Sequence, residues 1–147
     1  MVYAGNPLAC AAGLAVLGEI DRLDLLANAT RMGDRLKGGL HALAERYPFI
    51  GDVRGKGLLL AAEFVSDKQT MAPLPAGLNA YNRVVELAYE RGLIIYSRRT
   101  RGGVDGDHFL ICPPMIVTGA EVDEILSILD DTLSALAWEL KLPMAGF

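Results

Sequence analysis

The sequence contains few cysteines and histidines and has no excess of basic residues. Its two cysteines, Cys10 and Cys112, lack the spacing of metal ligands and could form at most one disulfide. The 18 acidic residues outnumber the 14 basic ones, which argues against a general nucleic-acid binder. We expect reduced thiols and a cytoplasmic protein.

Long apolar runs are also absent. The longest extends from Pro7 to Leu17, which is too short to span a bilayer. A signal peptide would carry a basic residue before such a run, but the first basic residue, Arg22, follows it. The hydrophobic content of 52% in 147 residues is high for one small domain. We therefore expect another domain or subunit to cover part of the surface.

Helix signals occur in four places. Asn6 and Pro7 are typical of a helix start, and the residues after them are apolar on nearly all sides, which predicts a buried helix. Thr118 and Glu121 form a capping box before a long amphipathic pattern. Gly92 is expected to close the third helix. The two middle helices are predicted over residues 28–46 and 79–91.

Strand signals lie between these helices. Residues 50–65 indicate two short strands around a turn at Gly55-Lys56-Gly57, and residues 66–78 indicate a loop. Two further short strands, 93–96 and 108–112, are joined by a polar loop. The pattern predicts an α+β fold in which helices cover a small, mostly antiparallel sheet.

Four stretches, in this order, carry a resemblance to a known family. They are YAGNPLACAAGLAVL, IGDVRGKGLLLAAEFV, ERGLII and GDHFLICPPMIVTGAEVDEILSIL. The set closely resembles the C-terminal part of the class III aminotransferases, which are pyridoxal-phosphate enzymes of fold type I. The resemblance implies that residues 1–27 form a helix linking to a large domain outside this chain. It implies that residues 28–147 form the C-terminal small domain.

The resemblance also implies a reaction and its cofactor. Family members hold pyridoxal 5'-phosphate on an upstream lysine, and no lysine here lies in a matching motif; the lysines are Lys37, Lys56, Lys68 and Lys141. We expect this chain alone to be inactive. The intact enzyme is expected to be a homodimer that moves an amino group from an ω-amino acid or amine to a keto acid such as pyruvate, without nucleic-acid or membrane partners. An aminomutase or decarboxylase of the same family, and a stand-alone α+β interaction module, are the alternatives.

Substrate binding is expected at Arg98 and Arg99. Ornithine-type members of the family carry a carboxylate-binding arginine in the strand before the double proline, where this sequence has Leu110. The ω-amino-acid:pyruvate type uses an arginine after the preceding strand instead. Arg98 and Arg99 follow LIIY here, and a guanidinium can bind a carboxylate with two parallel hydrogen bonds.

Other polar residues suggest no catalytic, cofactor or metal site. Arg54 is interpreted as a strand residue that stabilises the glycine turn or lines the active-site entrance. Asp105 and Asp107 are interpreted as turn residues, and His108 as the first residue of a strand. Val2 stands where many family members have a phosphate-binding threonine, and valine has no hydroxyl for that contact.

Overall fold

The computed structural model describes residues 5–145, without the side chain of Arg101. Val2, discussed above, lies outside the described residues. The elements in chain order are α1 (Pro7–Arg22), α2 (Leu25–Arg46), β1 (Ile50–Lys56), β2 (Leu59–Asp67), β3 (Ala72–Pro73), α3 (Ala80–Glu90), β4 (Tyr96–Thr100), β5 (Asp105–Ile111) and α4 (Gly119–Leu140). Short 3₁₀ turns occupy Ala76–Leu78 and Arg101–Gly103.

The sheet has the strand order β1-β2-β5-β4, and β3 pairs with β2. Every pairing is antiparallel. The predicted α+β class is therefore confirmed. The hairpin between β1 and β2 turns at Gly57-Leu58, because Lys56 pairs with Leu59. That turn lies at the glycine cluster that the sequence indicated.

One face of the sheet packs against α2, α3 and α4. Alternate residues of β2 (Leu60, Ala62 and Phe64) are buried on this covered face. Aromatic rings form a continuous row within the core: Phe64 lies 5.9 Å from Phe49 and 5.5 Å from Phe109, measured between ring centroids. The long apolar stripe of α4 completes this core, as its predicted amphipathic pattern requires.

Helix α1 differs from expectation. Asn6 caps it, with the side-chain oxygen accepting a hydrogen bond from the Ala9 amide at 3.1 Å, as the sequence predicted. The helix was expected to be buried, yet none of its residues is buried, and Leu8 and Leu14 are 80% and 71% exposed. The expectation that α1 is buried was therefore wrong for this chain. An apolar helix surface indicates that something should cover it, but the pattern does not identify what does. Within residues 5–145, no helix combines the length and the apolarity needed to cross a membrane.

The second hairpin also differs from expectation. A strand was predicted over residues 93–96, but β4 begins at Tyr96 and continues through the two arginines to Thr100. Arg98 and Arg99 therefore lie in a strand rather than in a loop. Pairing with β5, which starts at Asp105, overrides the weak strand preference of this polar segment. The short strand β3 likewise lies within a segment that the sequence indicated as loop.

Candidate functional site

The face of the sheet opposite to the helices is the candidate site. We call it the open face. Strand alternation and the observed register place eight residues on it. They form two cross-strand rows. The first row contains Asp52, Glu63, His108 and Arg98, and the second contains Arg54, Ala61, Leu110 and Tyr96.

Arg54 forms ion pairs with two carboxylates of the open face. Its guanidinium lies 2.8 Å from Asp52 and 2.5 Å from Glu63. The hydrogen bond that Arg54 donates to Asp52, supported by the one it donates to Glu63, raises the pKa of Arg54 above its ordinary value. The side chain is about half exposed. Arg54 therefore acts as a cross-strand ion pair next to the glycine turn, which agrees with the structural interpretation of its sequence position.

Arg98 is exposed on the open face and lies opposite His108. Its guanidinium forms no ion pair or hydrogen bond with any other side chain in the part of the chain that the structure describes. Leu110 lies diagonally from it on the neighbouring strand, since Leu110 pairs with Tyr96. Diagonal neighbours in an antiparallel sheet are about 7–8 Å apart. Arg98 is thus a cation close to Leu110, the position at which the family resemblance implies an arginine in ornithine-type members.

Arg99 points to the covered face. Its Nε and Nη2 atoms donate to the two carboxylate oxygens of Asp107 at 2.6 and 3.0 Å, and Nη2 also donates to the carbonyl of Ala76 at 3.0 Å. The guanidinium lies 4.7 Å from the ring centre of Tyr81. Hydrogen bonding to Asp107 raises the pKa of Arg99. The two predicted arginines are therefore separated by the alternation of β4, and only Arg98 is free to meet a ligand on the open face.

Asp105 and Asp107 were both interpreted as turn residues, and this was wrong, because both belong to β5. Asp107 is only 3% exposed. The sequence does indicate that Asp107 is buried. In a strand, Asp107 lies on the same face as Phe109 and Ile111, two apolar residues expected in the core. A buried carboxylate requires a cationic or hydrogen-bonding partner, and the nearby Arg98 and Arg99 are candidates for that partner.

His108 is confirmed as a strand residue, although β5 begins three residues before it. It is 9% exposed, and its Nδ1 lies 2.9 Å from the carbonyl oxygen of Gly106. Among residues 5–145, no group of three His, Cys, Asp or Glu side chains is arranged to hold a metal ion.

None of the four lysines has surroundings that suit pyridoxal phosphate. Lys37 donates to the carbonyl of Gly55 at 3.4 Å, Lys68 donates to the carbonyl of Ala44, and Lys56 is exposed at the end of β1. Lys141 lines a cavity of about 450 Å³ whose other walls are Ala137, Trp138, Leu142 and Met144. This cavity offers no acid for a pyridine nitrogen and no second cation or hydroxyl for a phosphate. The surroundings of these four lysines therefore do not fit the cofactor.

Comparison with known proteins identifies relatives of the chain. The family model Aminotransferase class-III matches residues 1–133. The 5-aminovalerate aminotransferase DavT of Pseudomonas putida is 39% identical over 135 residues, 92% of this chain and 30% of DavT. The taurine–pyruvate aminotransferase of Bilophila wadsworthia is 37% identical over 134 residues, 91% of this chain and 29% of that protein.

A solved structure shares the fold. It is an amine transaminase from an uncultivated Pseudomonas species in the PLP-bound, internal aldimine form. Its TM-score is 0.81 at 35% identity, and the match covers 92% of this chain and 29% of that one. The chain spans about 30% of the length of the curated relatives it matches.

Proposed function

The chain belongs to the class-III aminotransferase family, and we propose that it is the C-terminal portion of an enzyme that transfers an amino group from an ω-amino acid or amine to a keto acid such as pyruvate. Two relatives whose names specify 5-aminovalerate and taurine–pyruvate as substrates support this class of donor and acceptor. The single observation that carries the proposal for this chain is the unpaired guanidinium of Arg98 on the open face.

The proposed enzyme binds the keto-acid carboxylate at Arg98. A guanidinium forms two parallel hydrogen bonds with a carboxylate and keeps its charge at all relevant pH values. Tyr96 and Leu110, the neighbouring pair on the open face, present apolar surface beside it. This surface suits the carbon chain of an acceptor or the apolar part of an amine. We assign the contact with the carboxylate to Arg98 rather than Arg99, because the guanidinium of Arg99 already donates two hydrogen bonds to Asp107.

Residues 1–27 are proposed to link to a large domain that supplies the cofactor lysine, and residues 28–147 to form the small domain. The misfit of all four lysines supports the proposal that pyridoxal phosphate is bound by other parts of the enzyme and that this chain alone is inactive. We further propose a cytoplasmic homodimer. The uncovered apolar surface of α1 is consistent with a helix that packs on another domain or subunit.

The test is a product assay on the complete enzyme that contains this chain. The enzyme is supplied with pyridoxal phosphate, pyruvate and either 5-aminovalerate or taurine as donor. The proposal predicts alanine formed in equal amount to the donor consumed. Carbon dioxide release from 5-aminovalerate would instead indicate a decarboxylase, and movement of the amino group within the donor would indicate an aminomutase.

A further inference from the structure

Strand β4 lies at the edge of the sheet, and its own five residues carry little hydrophobic patterning to determine its alignment. It pairs with β5 on one side, and none of its five residues is fully buried. Because side chains alternate between the faces of a strand, a slip of one residue would move every β4 side chain to the opposite face. Hydrophobic patterning normally prevents such a slip, but within β4 the covered face carries only Ser97 and Arg99, and the nearest core residue, Ile95, precedes the strand.

The two adjacent arginines, Arg98 and Arg99, make two registers of β4 chemically similar. In the observed register Arg99 pairs with Asp107, and Arg98 pairs with His108. A one-residue slip would place Arg98 beside Asp107 and would give that carboxylate a guanidinium of the same kind. The open face would then lose Arg98. The carboxylate alone therefore does not decide between the two alignments.

The surroundings of Asp107 favour Arg99. In the observed register the guanidinium of Arg99 also reaches the carbonyl of Ala76 and lies over the ring of Tyr81. Asp107 in turn accepts a hydrogen bond from the Tyr81 amide at 3.3 Å. That amide belongs to the first turn of α3, whose N-cap residue makes no side-chain capping bond. One buried ion pair thus connects β4, β5, the 3₁₀ turn and the start of α3.

We propose that the Arg99–Asp107 pair sets the register of β4 and so places Arg98 on the open face. Arg99 is a positioning residue that acts through Arg98. Buried ion pairs add little net stability, but selecting one alignment among several is their best-attested role. The catalytic consequence of this inference rests on the function proposed above, whereas the structural claim does not.

The test compares cross-strand contacts by nuclear magnetic resonance in the 147-residue chain. Arg99→Gln removes the charge, Arg99→Lys restores it, and Arg35→Gln is the matched control, since Arg35 pairs with Asp123 on an exposed surface between α2 and α4. We expect the unaltered chain and the control to show side-chain contacts of residue 98 with residue 108 and none with the side chain of residue 107, which lies on the opposite face. Arg99→Gln should add contacts of residue 98 with residue 107 and speed amide exchange in β4 at least tenfold. Arg99→Lys should reduce both effects.

The inference is overturned if Arg99→Gln keeps only the contact between residues 98 and 108 and exchanges its β4 amides at the original rate. If Arg99→Gln does not fold, the Asp107→Asn variant tests the proposal instead, because neither Arg98 nor Arg99 then has a charged partner at position 107. Two sets of β4 contacts in Asp107→Asn support the proposal, and a single set in the observed register contradicts it.

A kinetic measurement separates this inference from the proposed function. In the complete enzyme, Arg99→Gln should raise KM for pyruvate at least tenfold, with KM for an uncharged aldehyde acceptor unchanged, and Arg99→Lys should partly restore it. If the register changes but KM for pyruvate does not, the register claim stands and the proposed role of Arg98 fails. If the register does not change, the register claim itself fails.

Discussion

The phenolic oxygen of Tyr47 donates a hydrogen bond of 2.6 Å to a carboxylate oxygen of Asp130. Tyr47 immediately follows α2 and has no exposed surface, whereas Asp130 lies in the middle of α4. The other carboxylate oxygen of Asp130 is 2.5 Å from Nη1 of Arg46. A buried hydroxyl is thus satisfied by a carboxylate that is itself paired, and this contact ties the end of α2 to α4.

Removing the Tyr47 hydroxyl should destabilise the chain. Tyr47→Phe removes the donor to one carboxylate oxygen of Asp130, which keeps its pairing with Arg46, and should lower the free energy of unfolding by about 1–3 kcal/mol. Tyr89→Phe is the matched control, because Tyr89 is 70% exposed and should change stability very little. Urea unfolding followed by circular dichroism measures both. Equal stability of the two variants would show that the Tyr47–Asp130 contact contributes nothing.

The same contact predicts a loss of stability at alkaline pH. Burial, supported by the nearby Asp130 carboxylate, raises the pKa of Tyr47 from 10.0 to about 12. The unfolded chain therefore loses this proton at a lower pH than the folded chain. The contribution is fully present below pH 10 and is lost as the pH rises towards 12, by at most about 3 kcal/mol. The difference in unfolding free energy between the original chain and Tyr47→Phe should shrink across this range, and a constant difference would contradict the assignment.

Alanine substitution at two glycines of α2 should change the stability of the chain in opposite directions. A Cβ on Gly33 would collide with the backbone carbonyl of Gly57 in the β1–β2 turn, whereas a Cβ on Gly38 would meet nothing within 4 Å. Gly33→Ala should cost about 1–3 kcal/mol because backbone cannot move aside easily. Gly38→Ala should stabilise the chain by about 0.5–1 kcal/mol through helix propensity. Thermal unfolding of both variants tests this contrast, and equal shifts would contradict the observed packing of α2 on the turn.

The chain alone should not form a specific adduct with pyridoxal phosphate. No lysine among the described residues lies in a cavity that suits the cofactor. Borohydride reduction after cofactor addition, followed by peptide mapping, should give only weak labelling distributed over several lysines. Stoichiometric labelling of one lysine, for example Lys141 in its apolar cavity, would show that the cofactor site lies within this chain.

Much of the fold was predictable because its local signals agree with its packing. The capping box at Thr118 is present, with the Glu121 carboxylate accepting from the Thr118 amide at 2.7 Å. Gly92 follows α3 with a φ of 85°, which suits a glycine closing a helix. These features depend on residues close together in sequence, and that is why pattern reasoning located them.

The candidate site could be predicted only in part. The choice of Arg98 and Arg99 came from a family resemblance, and the sequence indicated a loop where the structure has β4. Which arginine meets the open face depends on pairing with β5, a contact between strands that no local pattern encodes. The exposure of α1 could not be predicted for the same reason, since it depends on what lies outside the helix.

The most direct test of the account is the choice of acceptor by an Arg98 variant. In the complete enzyme, Arg98→Gln should lower kcat/KM for pyruvate by roughly 10- to 100-fold, equivalent to about 1.5–3 kcal/mol for a lost charged contact, while activity with an uncharged aldehyde stays unchanged. Arg35→Gln should alter neither value. Equal losses on both acceptors, or no loss on either, would contradict the claim that the open face binds the keto-acid carboxylate through Arg98.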